Sequence, residues 1–281
     1  MPVCALPDGA AMSYADDGAG APVLLVHGWA GHGGFFQDLS KRLSRTNRVL
    51  TLTLRGHPGS DQGRAPCTIE TLADDIIHFI EALDLKGVVA LGWSMGAMAL
   101  WAAAPKLGPR LAGLIVEDMA PRLVNGESWA YGIAGNYGPY DVEATLAEIR
   151  SDWAAHVARF APRMFARNAD ADQIAWAAAE MSKANPEAMA SFWASMASQD
   201  FRGALARITQ PMLVIGGAES QVYPDRATEF VARTAPKGER VVISGAGHVP
   251  HLETPDAFFN HVEAFVRVQR RPEIKSGGVG P

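Results

Sequence analysis

Cysteine is scarce in this chain: Cys4 and Cys67 are the only two, and neither has ligand-like spacing around it. Two thiols make neither a disulfide framework nor a thiolate metal site, and they fit a reducing compartment. An excess of positive charge is lacking as well. Lys and Arg number 25 against 30 Asp and Glu, a formal net charge of −5, which leaves no electrostatic footprint for nucleic acid. The basic stretch Arg267–Lys275 is short and reads as a solvated tail. No apolar run approaches the roughly 18 residues that span a bilayer. The opening residues Met1–Asp8 lack the basic start and apolar centre of a secretory leader. Internal repeats are absent too. These absences point to a cytoplasmic protein with neither a nucleic-acid nor a membrane partner, and they set no oligomeric state.

What is present is a series of short apolar runs closed by turn residues. Val23–His27, Arg48–Leu54, Val88–Leu91, Leu111–Val116, Met212–Ile215 and Arg240–Ile243 read as strands. Helical periodicity falls between several of them. Thr68–Leu83 carries Ile69, Leu72, Ile76, Phe79, Ile80 and Leu83 at helical spacing, with Thr68 or Thr71 as its cap. Met95–Ala104, Pro224–Ala235 and the closing Pro255–Val268 are the others. Strands that are continuously apolar are covered on both faces, so the expected fold is α/β, a mostly parallel sheet flanked by helices. Residues 122–206 break the alternation with an Ala-, Trp- and Met-rich helical stretch. They are read as a cap inserted between core segments 1–121 and 207–268, and residues 269–281 as a disordered tail.

Gly92-Trp93-Ser94-Met95-Gly96 follows one strand and opens a helix. A nucleophile on so tight a turn is lifted clear of the sheet and sits at the positive end of the helix, and glycine is needed where side chains would strike the turning backbone. An acyl-transfer centre also needs two N–H groups aimed at the tetrahedral oxyanion. Met95, after the serine, offers one; Trp29, in the loop after His27-Gly28, offers the second, with His27 itself structural. A serine needs a base. Of eight histidines, His248 follows the last strand on the glycine loop Ser244–Gly247 and gives the chain order Ser, acid, His; His251 is the competitor. The pairs His248/His251 and His27/His32 lack the His-Glu-x-x-His pattern and a third ligand, so no metal is expected.

Together Leu25-Val26-His27-Gly28-Trp29, Leu54-Arg55-Gly56-His57, the serine elbow and Gly245-Ala246-Gly247-His248-Val249-Pro250-His251-Leu252-Glu253 resemble the α/β-hydrolase superfamily from about Gly9 to Val268. A serine at the elbow argues against relatives that open epoxides or cleave carbon–halogen bonds, which carry Asp there. The acid departs from the commonest pattern. In Ile215-Gly216-Gly217-Ala218-Glu219-Ser220 a serine occupies the usual Asp position. Glu117-Asp118-Met119-Ala120-Pro121 instead is similar to the segment of small bacterial esterases whose acid follows the strand after the elbow helix. The resemblance therefore implies Asp118, with Glu219 and Glu117 as alternatives.

The resemblance implies hydrolysis of a small-molecule carboxylic ester, or of a lactone or thioester, through an acyl-enzyme and without a cofactor. Ring-cleaving dioxygenases that use no cofactor, carbon–carbon hydrolases, haloperoxidase-like enzymes and a non-catalytic binding protein share the fold and remain as alternatives. An apolar pocket is expected, drawn from Trp93, Trp129, Tyr131, Trp153, Phe165 and Trp193.

Overall fold

The computed structural model describes residues 1–270; the expected disordered tail lies, from residue 271 onward, outside the described residues. In chain order the elements are β1 (Val3–Ala5), β2 (Ala11–Gly18), β3 (Pro22–Val26), α1 (Gln37–Leu43), β4 (Arg48–Leu52), α2 (Ile69–Ala82), β5 (Val88–Trp93), α3 (Met95–Leu107) and β6 (Leu111–Glu117). Then come α4 (Pro139–Ser151), α5 (Trp153–Arg163), α6 (Ala171–Met181), α7 (Pro186–Ser198), α8 (Arg202–Leu205), β7 (Met212–Gly217), α9 (Asp225–Thr234), β8 (Gly238–Ile243), α10 (Pro250–Glu253) and α11 (Pro255–Gln269).

The eight strands form one sheet in the order β1-β2-β4-β3-β5-β6-β7-β8. From β4 to β8 every pairing is parallel, while β1 and β2 join antiparallel at one edge. The six strands read from the sequence are β3 to β8; β1 and β2 are additions. The mixed run Ala11–Gly18 ends in exposed Asp16-Asp17-Gly18, so its burial signal is that of an edge strand. β5 is buried at every position, as the central strand must be. No helix of the described residues is long and apolar enough to cross a membrane.

Thr68 caps α2, its hydroxyl accepting from Thr71 N at 3.2 Å. Helix α3 is buried almost all round, and its small residues bring it close beneath β5. Between β6 and β7 the chain holds five helices and, among the described residues, no strand of the sheet; the segment 122–206 falls in this stretch.

Two networks fix the loops that leave the strand ends. Arg55, 1% exposed, donates to Asp75 Oδ1 at 2.7 Å and to Asp8 Oδ2 at 2.9 Å. The guanidinium holds the Asp8 carboxyl far below its usual range, and removing one partner of such a buried set costs about 3–5 kcal/mol. His27 accepts from Leu54 N at Nε2 (2.9 Å), so its Nδ1 carries the proton and donates to Gly28 O at 2.8 Å. Burial keeps this imidazole neutral, with its pKa well below the ordinary value. The ring thereby staples the loop after β3 to the loop after β4.

Candidate active site

Ser94 sits between β5 and α3 with φ 51° and ψ −117°, a left-handed conformation that costs a non-glycine residue strain. The glycines on either side are demanded by contact. A Cβ on Gly92 would lie 2.5 Å from Ala97 N, and one on Gly96 would strike the Val26 carbonyl. The turn is held by Ser94 N donating to Glu117 O at 3.0 Å and by Ala97 N donating to Ser94 O at 2.8 Å. Among the described residues the N–H groups of Trp29 and Met95 have no protein acceptor. Met95 is the first residue of α3, where an N–H is free by helix geometry.

Across from the elbow, His248 Nδ1 lies 2.7 Å from Asp118 Oδ2, and both residues are 2% exposed. A carboxylate accepts at that nitrogen, so Nδ1 carries a proton, and the tautomer this selects in a neutral ring leaves the lone pair on Nε2. Asp118 leaves β6 at φ 40°, a conformation Asp tolerates better than most residues. Its Oδ2 also accepts from Ser220 Oγ at 2.7 Å. The serine at the usual acid position thus holds the carboxylate that faces the imidazole. The His248 backbone is fixed on both sides: its N–H donates to Met164 O at 2.7 Å and its carbonyl accepts from Trp93 Nε1 at 3.0 Å. Glu253 clamps the same loop to the helical segment, accepting from Gly247 N at 2.6 Å and Ala166 N at 2.7 Å. Burial pushes its carboxyl pKa up.

The other two carboxylates weighed for the acid do not meet His248. Glu219 is exposed, its backbone N–H donating to Ala246 O. Glu117 points to His251, with Oε1 2.7 Å from Nδ1 and 3.1 Å from the backbone N. No group of three or more His, Cys, Asp or Glu among the described residues is arranged to hold a metal ion.

The aromatic residues divide into two groups. Trp29 meets Trp193 at 5.0 Å, Trp153 at 5.5 Å, Phe160 at 5.5 Å and His156 at 5.7 Å between ring centroids. Its indole N–H donates to Met189 O at 2.9 Å, so the loop after β3 is tied to the helices above it. Trp93 packs on Phe35 and His248, and Phe165 is buried with its carbonyl accepting from Gln221 Nε2 at 2.7 Å. Trp129 and Tyr131 form the second group. They meet edge to face, Trp129 meets Phe230 of α9, and Arg202 lies over Trp129. They line a separate cleft of about 720 Å³ that contains none of Ser94, His248 or Asp118. Aromatic composition reports burial and says little about which cavity a ring faces.

Several neighbours of the site carry no sequence signal. Phe160 and His156 look like ordinary positions on α5. Burial lowers the His156 pKa to about 4, and its Nδ1 lies 2.8 Å from Glu148 Oε2. Tyr223, 3% exposed, sets its ring edge-on to His248 at 5.5 Å, and its backbone N donates to Ser220 Oγ at 3.3 Å. The one hint to it is its place three residues after Ser220, in the turn beside the His248 loop.

A family model described as "Alpha/beta hydrolase family" matches residues 23–261. A pimeloyl-[acyl-carrier protein] methyl ester esterase of Xanthomonas oryzae is 28% identical over 258 residues, covering 89% of this chain and 96% of that protein. A thermophilic esterase from Thermogutta terrifontis superposes with a TM-score of 0.83 at 28% identity, over 96% of this chain and 97% of that one. An esterase from Exiguobacterium antarcticum superposes with a TM-score of 0.89 at 24% identity, over 94% and 98%. With its central parallel sheet, its strained serine after the central strand and a family match across most of its length, the chain belongs to the alpha/beta hydrolase family.

Proposed function

We propose that the chain hydrolyses a carboxylic ester through an acyl-enzyme, with Ser94 as nucleophile, His248 as base and Asp118 as the orienting acid. The observation that carries this is the 2.7 Å contact of Asp118 Oδ2 with His248 Nδ1 opposite a serine on a strained elbow. Ser94 Oγ attacks the ester carbonyl while His248 Nε2 takes its proton; Asp118 stabilises the imidazolium. The Trp29 and Met95 N–H groups hold the developing oxyanion, each worth roughly 3 kcal/mol at the transition state. The imidazolium then protonates the leaving alcohol. In the second half-reaction His248 activates water against the acyl-enzyme and the proton returns to Ser94. No step calls for a cofactor.

Residues 122–206 act as the cap. Trp153 and Trp193, joined by Phe160 and His156, cover Trp29, and Phe165 borders the His248 loop. Such walls suit a small or medium apolar acyl or alkyl group. The relative named as a methyl ester esterase supports a small alcohol portion. The two buried free cysteines fit the cytoplasm.

The test is a panel of p-nitrophenyl esters of increasing acyl length, with alkyl esters and lactones alongside, for wild type and Ser94→Ala. Turnover of short or medium esters that is lost in Ser94→Ala supports the reading. Absence of ester turnover, or oxygen uptake on a ring substrate, contradicts it.

A further inference from the structure

The Trp29 N–H is one of the two groups proposed to hold the oxyanion, and the turn that carries it is strained. Gly31 N donates to Gly28 O at 3.1 Å and closes a four-residue turn around Trp29 and Ala30. Ala30, the third residue of that turn, has φ 56°, where glycine is favoured. Strain of this kind persists only where surrounding contacts hold it. Two sets of contacts come from the helical segment above the sheet. The Trp29 indole N–H donates to Met189 O of α7 at 2.9 Å, and its ring is boxed by Trp193 of α7 and by Trp153, His156 and Phe160 of α5. Three residues on, His32 Nδ1 accepts from Gly34 N at 3.0 Å, so Nε2 carries the proton and donates to Glu180 Oε2 of α6 at 2.9 Å. The Lys183 ammonium on the same carboxylate holds its pKa below the usual range, which keeps Glu180 an acceptor.

We propose that the cap completes the oxyanion hole: the Trp29 side chain is a positioning group whose bond to α7 holds its own backbone N–H on the oxyanion, and the His32–Glu180 bond is a second tether from α6. This deepens the esterase reading and rests on it. Indole and N–H share one Cα, so a shift of α7 that carries the ring with it also turns the donor. A misplacement of about 1 Å at such a group costs up to about a hundredfold in rate. The cap therefore acts on the transition state as well as on substrate fit. With α7 seated, the N–H meets the charge that develops on the carbonyl oxygen; with α7 displaced, the neutral ester loses little and the oxyanion loses a donor. Both half-reactions pass through such an oxyanion, so both depend on the tether.

Trp29→Phe keeps a ring in the box and deletes the bond to Met189 O. Glu180→Ala cuts the second tether at a residue whose polar partners are His32 and Lys183, and it carries the test alone if Trp29→Phe does not fold. The measurements are kcat and KM for a p-nitrophenyl ester and inhibition by two ketones of matching shape. A trifluoromethyl ketone forms a tetrahedral oxyanion on the serine; the methyl ketone reports binding of the neutral carbonyl. The expected fall in kcat is about thirtyfold for Trp29→Phe and about threefold for Glu180→Ala, with KM within about twofold of wild type in both. Trifluoromethyl ketone affinity should fall in step with kcat while methyl ketone affinity holds. A side chain that only shapes the pocket raises KM and weakens both ketones alike. That result, or an unchanged kcat, overturns the proposal while wild-type turnover leaves the esterase reading intact. A wild type inert toward esters overturns the esterase reading and this proposal with it.

Discussion

Two carboxylate–imidazole pairs stand side by side at the carboxyl ends of β6 and β8. Glu117 and Asp118 are consecutive, and each carboxylate approaches its imidazole Nδ1 at 2.7 Å, Asp118 with His248 and Glu117 with His251. What lies beyond each ring separates them. His251 is packed among Phe36, Trp93 and Phe258, and its Nε2 and Glu117 Oε2 have no partner among the described residues. His248 packs against Tyr223 and against Trp93, the residue before Ser94. The backbone makes the difference: Glu117 is still in register in β6, opposite Trp93, while Asp118 has left the strand at positive φ. The same pairing is a buried brace for the His248 loop in one case and, in the proposed mechanism, a proton-handling couple in the other.

Substitutions at the two acids break the comparison most strongly. Asp118→Asn keeps the shape, and Asn also tolerates the positive φ, but the amide no longer stabilises the imidazolium. Turnover is expected to fall by up to about ten-thousand-fold with thermal stability nearly unchanged. Glu117→Ala acts on the fold instead, because it strips both the ring and the backbone N of His251 of their acceptor. Stability is expected to fall by about 3 kcal/mol, a melting shift of roughly 6–12 °C, while the folded fraction keeps activity within about tenfold of wild type. Calorimetry and ester assays on both variants check the crossing pattern; similar losses of activity in both would erase the distinction.

An imidazole without a carboxylate sharpens it. His57 is buried with Nδ1 bonded to the Arg55 carbonyl and Nε2 unpartnered among the described residues, and burial lowers its pKa to about 4. Its folded pKa is depressed below the unfolded value of about 6.5, so the stability it contributes is present above pH ~6.5 and is lost as pH falls toward ~4. Over that window the unfolded chain binds the extra proton. Melting temperature is therefore expected to drop as pH is lowered from about 6.5 to about 4, and His57→Gln to flatten part of the slope; an unchanged slope contradicts this account of His57. The smallest effect is expected at the support of the proposed acid. Ser220→Ala removes one donor to Asp118 Oδ2, and a three- to tenfold loss of kcat with KM unchanged is expected. A change in KM alone would place Ser220 in substrate binding instead.

The sequence makes the buried part of the fold legible and leaves the edges and convergences dark. β3, β5 and β6 are apolar runs covered on both faces, and their signal survives without any tertiary knowledge. β2 alternates weakly and runs into two aspartates, so nothing in its composition separates it from a loop. At the site, the elbow is readable because Gly92 and Gly96 answer a local steric demand. The partners of Glu117 and Asp118 lie more than a hundred residues away, and which carboxylate meets which imidazole depends on how the turns after β6 and β8 aim their side chains. Tyr223 comes to lie beside His248 through the same convergence. Which cavity an aromatic ring faces is equally dark: Trp129 packs against Phe230 of α9 and under Arg202.

The most direct measurement is covalent labelling of the intact protein with a fluorophosphonate, followed by peptide mass analysis and an ester assay on the labelled sample. One label per chain on the peptide carrying Ser94, loss of hydrolysis in proportion to labelling, and no labelling of Ser94→Ala are the expected results. Label on another residue, or full ester turnover with Ser94 blocked, would contradict a nucleophile at the β5–α3 elbow.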